Sequence, residues 1–327
     1  MKNKQKVLLI ILSTVLLITL TIVFSAIGSV NLKIGDMLSA LINGDNEMIS
    51  TIVLKMRLPR NILAVLVGAN LAISGCLLQA VMKNPLSDPG ITGVSSGASL
   101  FAIIILLLLP EYTGILPLVA FIGGAIACIV VYSMAWKNGL KAIRVVLAGV
   151  AVNAVIGGVI SLLTMLYSDR IQSALLWLNG SLAAKTWVDV RLVAIYSLIG
   201  LTLSIFCIRG ANVLSLSDES ATNIGFNVNK TRMLLSAVAV FLAATSTAIV
   251  GIISFVGLIV PHISRMIIGS DHKYTIPFSM VMGGIVLLVA DTVARTILGS
   301  LELPVGVVMS IVGGPFFLYL LRKKGGE

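Results

Sequence analysis

Charge is what this 327-residue chain has least of: 11% of its residues are charged, and only 13 are acidic. A soluble domain carries about 25% charged and roughly 45–50% apolar residues, whereas here the apolar share is 58%. One soluble core cannot bury that excess, so the medium around most of the chain must itself be apolar. Histidine is almost missing, with His262 and His272 the only two, and neither belongs to an H-E-x-x-H or similar ligand spacing. Cysteine is scarce as well: Cys76, Cys128 and Cys207 lie in or beside apolar runs and form no C-x-x-C pair. That argues against a disulfide framework or a zinc site and for cysteines that pack. No G-x-x-x-x-G-K-[ST] phosphate loop occurs, so ATP hydrolysis, if used, is expected on another chain. No catalytic residue, metal or cofactor is expected.

What is present is hydrophobic length. A helix needs about 20 apolar residues to cross a bilayer. Ten such segments are expected, near residues 7–29, 61–82, 92–109, 115–136, 143–167, 190–208, 231–250, 256–269, 276–297 and 305–321. Pro85, Pro89 and Gly90 divide the run from 61 to 109, because proline and glycine break a helix. The run from 231 to 269 is split near residues 251–257, since as one helix it would far outreach a hydrocarbon core of about 30 Å. The first run is longer than the h-region of a signal peptide and is expected to be a retained span. The fold class expected is therefore an all-α polytopic membrane protein with one transmembrane domain over the whole chain. A proline-broken helix pair in each half, at Pro85/Pro89 and at Pro261, hints at an internal repeat around a pathway.

The net charge of +10 could suggest nucleic acid, but there is no basic domain with interleaved aromatics. Instead most lysines and arginines fall near 2–6, 83, 137–144, 209–232, 265–273 and 322–324. The positive-inside rule places these on the cytoplasmic side, with both termini. Residues 30–60 then form an extracytoplasmic loop and 209–230 a cytoplasmic segment.

Few residues could do chemistry. Gly93-Val94-Ser95-Ser96-Gly97 fits G-x-S-x-G, but a nucleophile elbow needs a preceding strand, and small residues on one helix face also serve close packing. Asp291 and Arg295 stand four apart on one span and can pair on its face. Residues 214–225 read as a short amphipathic helix with Ser217 as N-cap and Gly225 as stop. A solvated connector and a docking surface for a soluble motor both remain open for it.

Several blocks, in order and spacing, carry a resemblance. They are Arg57-Leu-Pro-Arg60, residues 68–75 with Gln79, Asn84-Pro-Leu-Ser-Asp-Pro89, Leu147-Ala-Gly-Val150 and Trp177-Leu-Asn-Gly180. The block at 251–265 follows, then Asp291, Arg295, Glu302-Leu-Pro-Val-Gly306 and Gly313-Gly-Pro-Phe-Phe317. From about residue 33 to 321 the chain resembles the FecCD-like permease subunits of type II ABC importers, which move iron–siderophore complexes, haem and cobalamin. The resemblance implies ten spans in a multi-pass protein of the cytoplasmic membrane. It also implies a second permease subunit, identical or paralogous, a separate ABC ATPase inside, and a substrate-binding protein outside. Arg57, Arg60 and Arg295 match arginines that meet acids of the binding protein, and arginine suits forked pairing with carboxylates. Asn84 and Leu86 match the inner gate. Leu214, Leu216, Asp218, Glu219, Ala221, Ile224 and Gly225 match the ATPase-coupling helix, although family members often have glycine where Ser217 stands. The cargo expected first is a ferric siderophore, with haem or cobalamin as alternatives. An ion-coupled secondary transporter is the alternative of another class, with Asp291 as its intramembrane carboxylate.

Overall fold

The computed structural model describes residues 2–28, 32–33, 35–37, 39, 47–137, 139–299 and 301–324. Among these, seven helices are long and apolar enough to cross a membrane, and three shorter apolar helices accompany them. In chain order the helices are α1 (Asn3–Ala26), α2 (Leu58–Met82), α3 (Val94–Leu108), α4 (Leu116–Ala135) and α5 (Ala142–Leu166). Then come α6 (Ile171–Leu178), α7 (Trp187–Phe206), α8 (Ile208–Leu214), α9 (Asp218–Asn223) and α10 (Val228–Val250). The last three are α11 (Val256–Ile268), α12 (His272–Thr296) and α13 (Val305–Lys324). Setting aside the short α6, α8 and α9, these fall on the ten expected segments. Both expected breaks are present.

The helices gather around α2, which packs against α7, α10, α11 and α12. Its small residues allow this. A Cβ on Gly68 would stand 2.2 Å from the Gly283 carbonyl oxygen, and one on Gly283 would stand 2.3 Å from that of Gly68. Backbone thus meets backbone where α2 crosses α12, as small-residue interfaces in membranes permit. Buried polar groups on α2 find partners on its neighbours: Asn70 Nδ2 donates to Ser197 Oγ (2.7 Å) and Ser74 Oγ to the Ala239 carbonyl (2.6 Å). Without water, each such group needs an internal partner.

The first break is closed by local bonds and the second by backbone bonds from elsewhere. Lys83 ends α2 in the left-handed conformation (φ 50°), and Asp88 caps a 3-10 turn, Pro89–Thr92, by accepting from Gly90 N–H at 2.8 Å. Between α10 and α11, Ser181 N–H donates to the Val250 carbonyl (2.8 Å), and Gly306 N–H donates to that of Gly180 (3.2 Å). Irregular backbone among spans is tolerated where protein satisfies it in this way.

The loop expected over 30–60 differs from the structure in its second part. Glu47–Thr51 is α-helical and Ile52–Arg57 is a π-helical turn running straight into α2. Pro59 has no N–H to extend the α ladder, and the turn before it is wide, with Leu58 N–H bonded to the Val53 carbonyl. Trp187 Nε1 donates to the Leu54 carbonyl at 2.8 Å and ties this turn to α7.

Candidate functional site

Two clusters of polar side chains stand out, one at each end of α2. Where α2 begins and α12 ends, Arg60 grips Asp291 through a fork: Nε lies 2.9 Å from Oδ2, and Nη2 lies 3.0 Å from Oδ1. Asp291 is fully buried. The remaining Arg60 nitrogen, Nη1, donates to Glu302 Oε2 at 2.7 Å. The i, i+4 partner expected for Asp291, Arg295, is engaged elsewhere. Arg295 Nη2 donates to the Phe24 carbonyl (2.8 Å) and to Asn61 Oδ1 (3.1 Å). Arg57 Nη1 donates to the carbonyls of Ser25 (3.1 Å) and Ala26 (2.9 Å). Two cations therefore cap the last carbonyls of α1, where unpaired acceptors and the helix dipole both favour positive charge.

These three arginines are buried, yet they border a cavity of about 450 Å³ that also takes in Lys55, Lys185 and Glu302. Its lining is five cations against one carboxylate. Burial lowers the pKa of Lys185, with Asp189 opposing the shift. Asp291, the carboxylate an ion-coupled carrier would need, is spent on Arg60 and has no exposed surface.

At the other end of α2 lie the expected gate and coupling residues. Asn84 is exposed, and its Oδ1 accepts from Leu86 N–H at 2.9 Å; Leu86 is half-buried. The helix expected over 214–225 is shorter. Leu214 ends α8 and is buried in the core, Leu216 lies in the turn, and α9 covers only Asp218–Asn223. The turn at 215–217 is what allows α9 to start afresh: Ser217 Oγ accepts from Ser220 N–H (3.1 Å), an N-cap bond. Gly225, at φ +85°, stops it, with Phe226 N–H bonded to the Ala221 carbonyl at 3.0 Å. Ala221 faces inward, while Leu216, Glu219 and Ile224 are exposed.

Asp218 is the exception on this exposed helix, because its carboxylate is taken. Oδ1 accepts from Lys83 Nζ at 2.8 Å and from Arg232 Nη2 at 3.0 Å. The Lys83 bond first, and the Arg232 charge after it, hold its carboxyl below the usual range. Neither partner was singled out from the sequence, since charge pairing across 135 residues to Lys83, or across 14 to Arg232 on another helix, leaves no local pattern. Gln79 gained no role from the sequence either. Its Nε2 donates to the carbonyls of Ser87 (3.3 Å), Gly257 (3.1 Å) and Leu258 (3.3 Å), and its Oε1 accepts from Arg265. One amide thus joins α2, the turn after it and α11. The G-x-S-x-G stretch opens α3 as a helix, and a Cβ on Gly97 would lie 2.3 Å from the Gly123 carbonyl oxygen, so its small residues pack.

Comparison with known proteins places this arrangement. A model of the FecCD transport family matches residues 13–323. The Staphylococcus aureus (strain MSSA476) protein named Probable heme-iron transport system permease protein IsdF is 39% identical over 323 residues, 99% of this chain and 98% of that protein. Its counterpart in strain Newman matches to the same extent. Among solved structures, a chain of a transporter described as of the metal-chelate ABC type, in an inward-facing conformation, superposes with a TM-score of 0.87. It has 27% identity, covering 96% of this chain and 99% of that one. A chain of PsaBC from Streptococcus pneumoniae shares the fold at a TM-score of 0.60 and 18% identity, over 88% of this chain and 95% of that one.

Proposed function

Because the chain belongs to the FecCD transport family, and so is a multi-pass permease subunit of an ABC importer for metal chelates, we propose that its cargo is haem. Its ATPase lies on a separate subunit, and a second permease and a substrate-binding protein complete the transporter. The observation that carries the cargo assignment is full-length likeness to permeases named for heme-iron transport. The ferric siderophore expected first from the family resemblance becomes the second reading. Deleting the chain in cells is expected to abolish haemin-dependent growth and leave ferric-hydroxamate uptake unchanged; the reverse result returns the assignment to a siderophore.

The coupling surface is the exposed edge of Leu216, Glu219 and Ile224 beside α9. Capped helices with apolar side chains in water are suited to a soluble partner. Purification of the full chain in detergent should bring down an ABC ATPase, and replacing Asp218–Asn223 by a Gly/Ser linker should lose it. Retention of the ATPase by the linker variant would move the docking surface elsewhere.

At the opposite end, Lys55 and Lys185, with Arg57 and Arg295 bordering the same cavity, give it its positive field, since Arg60 is neutralised by Asp291 and Glu302. Acidic residues of a substrate-binding protein are its proposed partners. Rim charges act mainly through association rate and salt dependence. Lys55→Glu with Lys185→Glu is expected to slow capture of the substrate-binding protein by about tenfold or more at low salt. Equal capture rates for parent and variant would remove this face from the docking assignment.

A further inference from the structure

We infer that Lys83 and Asp218 form a clasp that carries movement of the ATPase-facing segment to the turn holding Asn84 and Leu86, with Lys83 as the positioning residue on the gate side. This rests on the coupling reading of residues 214–225 given above.

The clasp has one fixed side and one movable side. Arg232 is 8% exposed and is itself anchored, its Nη1 donating to the Leu140 carbonyl at 3.0 Å. It holds Asp218 from α10. From the other side Lys83 Nζ binds both the Asp218 carboxylate and the Leu216 carbonyl. The lysine ammonium therefore touches the side chain that opens α9 and the backbone just before it. Any shift of α9 is felt at Nζ.

The backbone of Lys83 passes that shift on. It sits at φ 50°, ψ 31° as the C-cap of α2. Glycine would take this conformation without the Cβ penalty, so what the lysine contributes here is its ammonium. The turn that follows is bonded to itself: Ser87 N–H to the Asn84 carbonyl (3.2 Å) and Leu86 N–H to Asn84 Oδ1 (2.9 Å). Residues 84–87 thus move with Lys83 as one piece. Gln79 joins that piece to α11 through the Ser87, Gly257 and Leu258 carbonyls.

Stability does not explain the pair. The Lys83 and Asp218 side chains are 34% and 52% exposed, and pairs this open contribute little to stability. Lys83→Met should therefore fold and assemble. What it should lose is communication.

The test uses the complete transporter in proteoliposomes with Leu86→Cys as reporter, which keeps the Leu86 N–H bond to Asn84. The native cysteines are buried, so a maleimide reads the half-buried new thiol. Labelling is timed without nucleotide and with ADP–vanadate. In the parent, the nucleotide is expected to change the labelling rate. Lys83→Met should shrink that change by about fivefold or more, the range of an ordinary coupling between sites, while the ATPase stays bound in the same stoichiometry. Lys83→Arg should restore it. Lys83→Met combined with Asp218→Asn should do no worse than the more severe single variant, since partners in one interaction are non-additive. A full nucleotide response in Lys83→Met, or strictly additive losses, overturns the clasp and leaves the coupling reading standing. No nucleotide response in the parent overturns the coupling reading and the clasp with it.

Discussion

Asp291→Ala is expected to remove most of the folded protein. Asp291 is fully buried and compensates two nitrogens of Arg60. Deleting one member of a buried pair leaves an uncompensated charge, a loss of about 3–5 kcal/mol. Glu302 holds only Arg60 Nη1 and is 40% exposed, so it cannot replace Asp291. The check is accumulation in membranes together with the melting temperature in detergent. Arg60→Met combined with Asp291→Leu should recover much of both, because an apolar pair of similar volume avoids the desolvation that the ions incur. A proton relay predicts something else: Asp291→Asn would fold normally and lose only transport. Parent-like melting of Asp291→Ala would show that the pair does not hold α2 to α12.

The same pair shows what the sequence could and could not reveal. Arg57, Arg60 and Arg295 look anomalous against the positive-inside trend when read as surface charges. They are not surface charges: two cap α1 and one is neutralised by Asp291 and Glu302. Apart from Thr292, three residues from Arg295 on the same helix, their hydrogen-bond partners lie 31 to 271 residues away, beyond any local pattern. Spans were legible for the opposite reason. Hydrophobic length, proline and glycine act over a few residues, so the splits at 84–90 and near 251–257 could be placed directly. Helical structure at 47–57 was hidden by Lys55, Arg57 and Pro59, which resemble a polar loop until the π turn and the contacts with α1 and α7 are seen. For the proposed coupling segment the cap residues Ser217 and Gly225 were legible, but the extent of α9 was not. Leu214 belongs to the core through α8, and only tertiary packing decides that.

Gly75→Val is expected to be as damaging as loss of the ion pair, through shape alone. A Cβ on Gly75 would stand 1.8 Å from the Gly257 carbonyl oxygen and 2.5 Å from its Cα. Both obstacles are backbone, so no side chain can swing aside. Overpacking a core with room to adjust costs about 1–3 kcal/mol; here α2 and α11 would have to part. Parting them also breaks the Gln79 bonds to Gly257 and Leu258, and the same amide holds the Ser87 carbonyl beside the proposed gate turn. Any folded fraction of a milder Gly75→Ala variant should therefore lose transport more steeply than abundance. Gly157, with nothing near its missing Cβ, supplies the comparison: Gly157→Ala should stay within about 0.5 kcal/mol of the parent. Equal abundance and melting temperature for Gly75→Val and the parent would mean that α2 and α11 do not cross at this glycine. A loss of transport matched by an equal loss of protein in Gly75→Ala would separate the crossing from the gate.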